Sequence, residues 1–122
     1  SIEMTAINEI FLGVHWSLES NEGFDEYLKA KGTPWIVRKA IAAAPHTITW
    51  EYLEAHRWLV NHKGIEIYAG VDTITERYKK KKDKEEPEEV YTYHIEKGKL
   101  VQEMERDGVT CTRTYKSWRP KN

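Results

Sequence analysis

The order of apolar and polar residues separates a helical segment near the start of the chain from a longer segment of predicted β-strands. Residues 10–18 form an apolar run that predicts an opening strand, and residues 20–23 carry turn and helix-capping chemistry. Phe24, Tyr27 and Leu28 then recur at the spacing of one helix face. The pattern therefore predicts a strand, a turn and a short amphipathic helix.

Stop signals after this helix predict a second one. Gly32 and Pro34 end the first helix, and residues 35–44 form the second helix before Pro45. Two short helices joined by a tight turn make a helical hairpin, which we place at about residues 21–44.

The remainder of the chain has the alternation and the turn residues of antiparallel strands. Candidate strands cover residues 47–52, 57–61, 65–68, 73–78, 90–95, 100–106 and 109–116. Glycine-containing turns are expected at residues 63–64, 96–99 and 107–108. A helix at residues 54–60 is an equal alternative to a strand there. An early strand, a helical hairpin and antiparallel strands together describe a mostly β barrel or clamshell with a helical lid.

Composition narrows the class of protein. The 122 residues suit one domain spanning the chain, with 39% apolar and 32% charged residues. The formal net charge of −1 gives no field that would attract nucleic acid. Five Trp and seven Tyr favour a β protein with a pocket. Residues 79–89 hold a basic block and then an acidic one, which we interpret as a solvated loop; a polybasic contact with an anionic membrane or nucleic acid is the alternative.

Three features bear on the compartment. The single cysteine, Cys111, cannot form an internal disulfide, which fits a cytoplasmic location, although a secreted protein without disulfides fits equally. No apolar run reaches the roughly 20 residues that span a bilayer. The first residues lack the basic and apolar regions of a signal peptide, and a signal removed earlier would leave the same start. We expect a cytoplasmic protein.

Stretches at both ends of the chain carry a resemblance. They are Phe11-Leu12-Gly13 with Trp16, residues 23–32 with residues 38–40, and residues 97–101 with residues 107–115. In this order they resemble the opening strand, the lid and the last hairpin of the intracellular lipid-binding proteins, the family of fatty-acid-binding and cellular retinoid-binding proteins. The resemblance implies an antiparallel up-and-down β-barrel of the calycin type with a helix-turn-helix lid. It also implies non-covalent binding and transport of a fatty acid or a similar hydrophobic carboxylate.

The sequence also departs from the family pattern. One extra residue separates Gly13 from Trp16, and the chain is shorter by roughly twenty residues, which is about one hairpin. The loss falls between residues 65–68 and Val90, so we expect eight strands instead of ten and a smaller or more open cavity. An exposed strand edge at this place would invite a homodimer.

The last predicted strand carries the residues that would hold a ligand. Cys111, Arg113 and Tyr115 share one face, because side chains alternate along a strand. A buried arginine needs an anion or a hydrogen-bonding network, since an unpaired buried charge is costly, and a carboxylate fits its guanidinium. The resemblance implies that Arg113 and Tyr115 hold the head group of a fatty acid. An Arg and a Tyr on an exposed edge strand are the alternative.

Neighbouring strands add three candidate ligand residues. Tyr93 stands where many members of the family have a second arginine, so the resemblance implies a less selective head-group site and leaves retinoids and other hydrophobic ligands open. Gln102 and Met104 lie on the face that the resemblance turns inward. Gln102 would bind a polar ligand group or an ordered water, whereas Met104 fills the core or adapts to a lipid.

Four lid residues complete the predicted ligand site: Phe24, Tyr27, Trp35 and Arg38. Helical spacing places the apolar ones, together with Ile36 and Ala40, on the buried face of the hairpin. The resemblance implies that some of them line a portal for the ligand. Arg38 and the lid lysines would attract anionic membranes in a transient contact, and a solvated helix face explains these residues equally.

Nothing in the sequence indicates catalysis or a cofactor. The five histidines lack metal-ligand spacing, and no Ser/His/Asp or Cys/His set can be argued. We therefore expect a carrier that is not an enzyme, with no cofactor, catalytic or metal site. Two other classes make different predictions. An enzyme would place a His or a carboxylate with a perturbed pKa in the cavity, and a structural or interaction protein would fill the barrel with its own aromatic side chains.

Overall fold

The computed structural model describes residues 10–50, 65–70, 72–78 and 88–118. Seven strands and two helices form over these residues, so the fold is mostly β with a helical hairpin, as predicted. The elements are β1 (His15–Glu22), α1 (Phe24–Ala30), α2 (Trp35–Ala43), β2 (Thr47–Ile48), β3 (Ile65–Ala69), β4 (Thr73–Tyr78), β5 (Glu89–Glu96), β6 (Lys99–Arg106) and β7 (Val109–Trp118).

The strands form one antiparallel sheet in the order β2-β1-β7-β6-β5-β4-β3. From β3 to β7 the neighbours in the sheet are also neighbours along the chain, which is a meander. β7 then pairs with β1, so that the early and late parts of the chain meet. The sheet curls into a half-barrel that the two helices accompany.

Two tight turns set the register of the meander. Lys97 and Gly98 have φ of 51° and 76°, and Asp107 and Gly108 have φ of 52° and 82°. Two successive positive φ values give the two-residue turn that matches the twist of a hairpin. In the resulting register residue 93 lies opposite residue 102, which lies opposite residue 113. These three side chains therefore form one row across the same face of the sheet.

The inner face of the sheet holds the main core. On β7 the side chains alternate as predicted, with Cys111, Arg113 and Tyr115 buried and the intervening threonines more exposed. The buried residues of the main cluster are Phe11, Trp16, Trp50, Ile67, Ala69, Ile74, Tyr93, Leu100 and Tyr115. Burying this many large aromatic side chains supplies the hydrophobic free energy that holds the curled sheet.

Gly23 lets α1 begin directly against the sheet. Its φ is 75°, and a Cβ at this position would lie 2.5 Å from the carbonyl oxygen of Thr110. Only glycine combines the left-handed backbone with so close an approach. α1 then packs one face on the sheet, in a second cluster made of Phe24, Tyr27, Leu28, Met104 and Cys111.

The opening strand lies further along the chain than the apolar run predicted. β1 begins at His15 rather than at residue 10 and continues to Glu22, so the turn expected at residues 20–22 is wrong. The cause is tertiary, because residues 20–22 pair with residues 112–114 of β7. Phe11 is nevertheless buried, and Leu12 makes a single bridge to residue 50.

The second helix forms where it was predicted but does not bury its apolar face. α2 has no buried residue; Trp35 is 63% exposed and Ile36 is 71% exposed, and Ala40 is also exposed. The prediction of a buried face was therefore wrong for α2. The physical reason is position, since α1 packs on β6 and β7 whereas α2 packs on α1.

Some predicted elements lie outside the described residues. The strand predicted at residues 47–52 is β2 at Thr47–Ile48, followed by the single bridge at Trp50. The strand predicted at residues 57–61, its helical alternative and the turn at residues 63–64 lie outside, as does most of the charged segment. The other six predicted strands are present within the described residues.

Candidate ligand-binding site

A cavity of about 540 Å³ lies between α1 and the inner face of the sheet. Its walls come from α1, from residues 46–50 and from strands β4 to β7. Six of the predicted ligand residues line it: Phe24, Tyr27, Tyr93, Gln102, Met104 and Arg113. The fold thus brings side chains that are far apart in sequence to one cavity.

The three other predicted ligand residues lie elsewhere. Tyr115 is fully buried behind the cavity wall and reaches the site through its hydroxyl group. Trp35 points to solvent on α2. Arg38 is held within the lid, where its guanidinium donates to Asp25 Oδ1 over 3.1 Å and to the Thr33 carbonyl over 2.8 Å. The structure therefore places Trp35 and Arg38 outside the cavity.

Arg113 presents a buried cation to the cavity. The residue is 7% exposed, and its Nε donates to Asn21 Oδ1 over 2.8 Å. Its guanidinium carbon lies 4.1 Å from the centroid of the Phe24 ring, a cation–π contact that places the group beside α1. No carboxylate of the described residues lies within salt-bridge distance of it. The charge is fixed in place and lacks an anionic partner among these residues.

A chain of hydrogen bonds crosses the cavity wall beside Arg113. Tyr93 donates to Glu76 Oε1 over 2.5 Å, Gln102 Nε2 donates to the Tyr93 hydroxyl over 2.8 Å, and Tyr115 donates to Gln102 Oε1 over 3.0 Å. The Tyr115 hydroxyl also lies 3.0 Å from His46 Nδ1. Because Tyr115 gives its proton to Gln102, the His46 Nδ1 must carry a hydrogen and donate to Tyr115.

Glu76 is a cavity residue that sequence analysis missed. Besides the Tyr93 hydroxyl, its carboxyl accepts from Trp50 Nε1 at 3.4 Å and from the Tyr78 hydroxyl at 3.5 Å. Burial raises the pKa of Glu76, and the hydrogen bonds offset only part of this effect. Strand alternation could have identified Glu76 as an inward-facing residue, because residues 74, 76 and 78 share one face of β4 and Ile74 is fully buried.

His46 was also missed, and nothing in the local pattern indicated it, since it follows Pro45 in a connecting segment. Partial burial, and then the charge of Arg113, lower the pKa of His46. The enzyme interpretation predicted such perturbed groups in the cavity, and Glu76 and His46 both match it.

The thiol of Cys111 and the phenol of Tyr115 could in principle act as nucleophiles, but both have a raised pKa. Burial raises the pKa of Cys111 to about 11 and that of Tyr115 to about 12. An activated nucleophile has a lowered pKa instead. Neither Cys111 nor Tyr115 is therefore an activated nucleophile.

A cluster of charged groups ties the end of α1 to the sheet. Lys31 forms an ion pair with Glu89, the Tyr91 hydroxyl donates to Glu89 over 2.6 Å, and Arg106 Nη2 lies 3.9 Å from it. Burial by itself would raise the pKa of Glu89, but hydrogen bonds from Lys31 and Tyr91 and the nearby positive charges lower it on balance. Lys31 also lines the cavity, so this cluster lies at the lid end of the site.

Two other kinds of feature are absent from the described residues. Within residues 10–50, 65–70, 72–78 and 88–118, no three His, Cys, Asp or Glu side chains gather as metal ligands do. Neither helix of the described part of the chain is long and apolar enough to cross a membrane.

Known proteins resemble the chain in sequence and in fold. Fatty acid-binding protein homolog 3 of Caenorhabditis elegans is 30% identical over an alignment of 138 positions, which covers 90% of this chain and 83% of the relative. As-p18, an extracellular fatty acid binding protein, superposes with a TM-score of 0.66 at 24% identity, over 93% of this chain and 99% of its own. The fatty acid binding protein of Schistosoma mansoni in complex with arachidonic acid gives a TM-score of 0.56 at 15% identity, over 91% and 98%. No family model matches the chain.

A curled antiparallel sheet with a helix-turn-helix lid and an internal cavity defines the class of calycin-like lipid-binding proteins. The chain belongs to the fatty acid-binding protein family, because its C. elegans relative is 30% identical over most of both chains. The resemblance seen in the sequence is thereby confirmed. The alignment is longer than the chain itself, so the relative contains residues in this region that the chain lacks.

Proposed function

We propose that the protein binds a fatty acid or a similar hydrophobic carboxylate non-covalently in its cavity and transports it. The observation that carries this proposal is the buried guanidinium of Arg113 at the cavity wall. The second buried arginine, Arg106, offers a contrast, since it lies near Glu89 and does not line the cavity. A ligand carboxylate would give Arg113 the anionic partner that Arg106 already has.

The energetics favour an anion at this place. A buried charge without a partner is costly, and a charge-assisted, fork-like contact with a carboxylate offsets that cost. Phe24, Tyr27 and Met104 supply apolar wall for an acyl chain. The cavity volume of about 540 Å³ falls within the range of roughly 300–1,000 Å³ typical of small-molecule pockets. An open cavity argues against a barrel filled by its own side chains. The arachidonic acid in the Schistosoma relative's structure supports the same class of ligand.

A neutral hydrophobic ligand, such as a retinoid, is the second candidate. The observation in its favour is Tyr93, which occupies the place of a second head-group arginine and already gives its hydroxyl proton to Glu76. A head group would then meet one cation and several neutral hydrogen-bonding groups. Selectivity for carboxylates would rest on Arg113 alone.

The exposed apolar face of α2 supports a transient contact of the lid with membranes during transfer of the ligand. Trp35, Ile36, Val37 and Ile41 are exposed on this helix, and Lys39 lies beside Trp35 with its ammonium 5.9 Å from the ring centroid. Apolar side chains next to a cationic one suit the interface of an anionic bilayer. We expect α2, not α1, to make this contact.

Two further predictions concern location and assembly. We expect a cytoplasmic protein, with the free thiol of Cys111 kept reduced, although the structural neighbour As-p18 is extracellular; cell fractionation would test this location. A homodimer through a strand edge stays a prediction. Among the described strands β2 and β3 end the sheet, and equilibrium sedimentation would give the oligomeric state.

Native mass spectrometry of the protein before and after delipidation, with oleate and retinol added back, tests the proposal. The expected result is a stoichiometric adduct that disappears on delipidation and returns with oleate. A return with retinol alone would favour the second candidate. The absence of any lipid adduct in every state would contradict the carrier function.

A further inference from the structure

We propose that the Glu76 end of the cavity is a second polar subsite, which selects lipids that carry a hydroxyl group on their acyl chain. This inference rests on the proposed function, because it assigns the carboxylate of the same ligand to Arg113. It extends the ligand class from plain fatty acids to long-chain hydroxy acids.

The contacts of Glu76 leave acceptor capacity toward the cavity. An ionised carboxylate offers about four lone-pair sites. The bond from the Tyr93 hydroxyl is short at 2.5 Å, whereas those from Trp50 at 3.4 Å and Tyr78 at 3.5 Å are at the outer limit for hydrogen bonds. Glu76 lines the cavity. A ligand donor can therefore approach it without displacing a strong partner.

The surroundings of Glu76 make a plain alkyl chain a poor occupant of this end. No cationic nitrogen of the described residues lies within salt-bridge distance of the carboxyl. An alkyl chain packed against the carboxyl would remove its remaining hydration without offering a hydrogen bond in place of the water. A hydroxyl group returns a hydrogen bond, and it does so in either state of Glu76, because it donates to a carboxylate and accepts from a carboxylic acid. Because burial raises the pKa of Glu76, it matters that a hydroxyl group can bond to the carboxyl in both its ionised and its protonated state.

The distance between Arg113 and Glu76 determines where along the acyl chain the hydroxyl group should lie. Residues 113, 102, 93 and 74 are opposite one another across β7, β6, β5 and β4, and Glu76 lies two positions along β4 from residue 74. Three inter-strand spacings correspond to roughly 14 Å measured along the sheet. A hydroxyl adjacent to the carboxylate would stay near Arg113. A hydroxyl near the middle of a long acyl chain would reach Glu76.

Titration calorimetry with three acids tests this placement: stearate, 2-hydroxystearate and 12-hydroxystearate. We expect the wild-type protein to bind 12-hydroxystearate about tenfold more tightly than stearate, the effect of one hydrogen bond to a charged or acidic group. The hydroxyl of 2-hydroxystearate should give no such gain, although the molecule has the same composition.

Two variants assign the preference to Glu76. Glu76→Met keeps the length of the side chain and removes its polarity, so the preference for 12-hydroxystearate should disappear while stearate binds at least as well. Glu76→Gln keeps a neutral hydrogen-bonding group and should retain a smaller preference, which serves if the methionine variant does not fold. Glu103→Gln, on an exposed position of β6, is the matched control and should leave all three affinities unchanged.

The outcomes separate this inference from the proposed function. Equal binding of stearate and 12-hydroxystearate to the wild-type protein would overturn the inference and leave the carrier function standing. A preference that is undiminished in Glu76→Met, or in Glu76→Gln if the methionine variant does not fold, would overturn it as well. Failure of all three acids to bind the wild-type protein would overturn both.

Discussion

The two helices of the lid look alike in sequence and differ in what they contact. α1 buries Phe24, Tyr27 and Leu28 on the sheet, in contact with Met104 and Cys111. α2 is at least as apolar, yet none of its residues is buried. One helix is therefore part of the wall of the cavity, and the other lies outside it.

This difference follows from the attachment of each helix. α1 begins directly after Gly23, where an added Cβ would lie 2.5 Å from the carbonyl oxygen of Thr110 on β7, and it is followed by Lys31, which is paired with Glu89 of β5. The attachments described for α2 are to the first helix and its turn, as in the bond from Arg38 to Asp25. α1 should then behave as a structural element of the barrel, whereas α2 is free to contact other surfaces.

The largest expected effect is on stability, from truncating a buried residue of α1. Leu28→Ala should lower the free energy of unfolding by about 3 kcal/mol, since it removes buried methyl groups and leaves a cavity. Ile36→Ala on α2 is the matched control, and the loss there should be about 0.5 kcal/mol or less because the side chain is exposed. Urea denaturation of both variants measures the comparison. Equal losses would show that α2 packs as closely as α1.

A smaller effect is expected at the start of α1. Gly23→Ala should lower the free energy of unfolding by about 2 kcal/mol, because it adds a clash with Thr110 to the strain of a positive φ. Gly32→Ala is the control, since Gly32 has φ of 81° but no atom within 4 Å of the added Cβ. That variant should lose only about 1 kcal/mol, the backbone strain alone. If the two variants lose the same amount, the close approach at Gly23 does not matter.

The pH dependence of stability should carry opposite signs from two carboxyl groups. The pKa of Glu89 is lowered in the folded state, so its contribution is present above the unfolded pKa and is lost as the pH falls. The pKa of Glu76 is raised, so its contribution is present at low pH and is lost as the pH rises. Urea titrations between about pH 3 and pH 7 of Glu89→Gln and Glu76→Gln should change the slope in opposite directions. Changes of the same sign would contradict these assignments.

The ion pair with Lys31 at the end of α1 determines how much Glu89 contributes to the pH dependence of stability. Lys31 and Glu89 are partly exposed, so we expect Lys31→Met to cost about 1 kcal/mol or less at neutral pH and nothing once Glu89 is protonated. A loss that did not depend on pH would point to packing rather than charge.

The smallest effect on stability is expected for a substitution in α2, where the quantity to measure is the rate of ligand transfer. Ile36→Ser should leave stability and oleate affinity nearly unchanged and slow the transfer of a fluorescent fatty acid to anionic vesicles several-fold, because it weakens the apolar contact with the bilayer. Thr112→Ser, on β7, is a control that should not alter the rate. Unchanged transfer in Ile36→Ser would remove α2 from this role.

Local rules predicted the parts of the fold that depend on neighbours in sequence. The turns at Lys97-Gly98 and Asp107-Gly108 fixed the last two hairpins, and alternation along β7 placed Arg113 and Tyr115 inward. Tertiary pairing decided the rest. β1 extends to Glu22 only because β7 pairs with it, and the same helical periodicity fits both a buried α1 and an exposed α2.

The candidate site also contains residues that the sequence predicted and residues that only the tertiary structure reveals. Six of its residues were predicted from alternation and from the resemblance to the family. Glu76 escaped notice because an isolated glutamate on a strand is ordinarily solvated, and its burial depends on tertiary structure, in which β4 pairs with β5 and Glu76 lies opposite residue 91. His46 depends on the path of a connecting segment, which periodicity does not describe.

The most direct test of the central claim is the affinity of oleate and of oleyl alcohol for the wild-type protein and for Arg113→Gln, measured by titration calorimetry. Arg113→Gln should weaken the binding of oleate by roughly 1.5–3 kcal/mol and leave the binding of oleyl alcohol unchanged. Arg106→Gln, which removes a buried arginine outside the cavity, should lower stability without changing either affinity. Unchanged binding of oleate to Arg113→Gln would show that Arg113 does not bind the carboxylate.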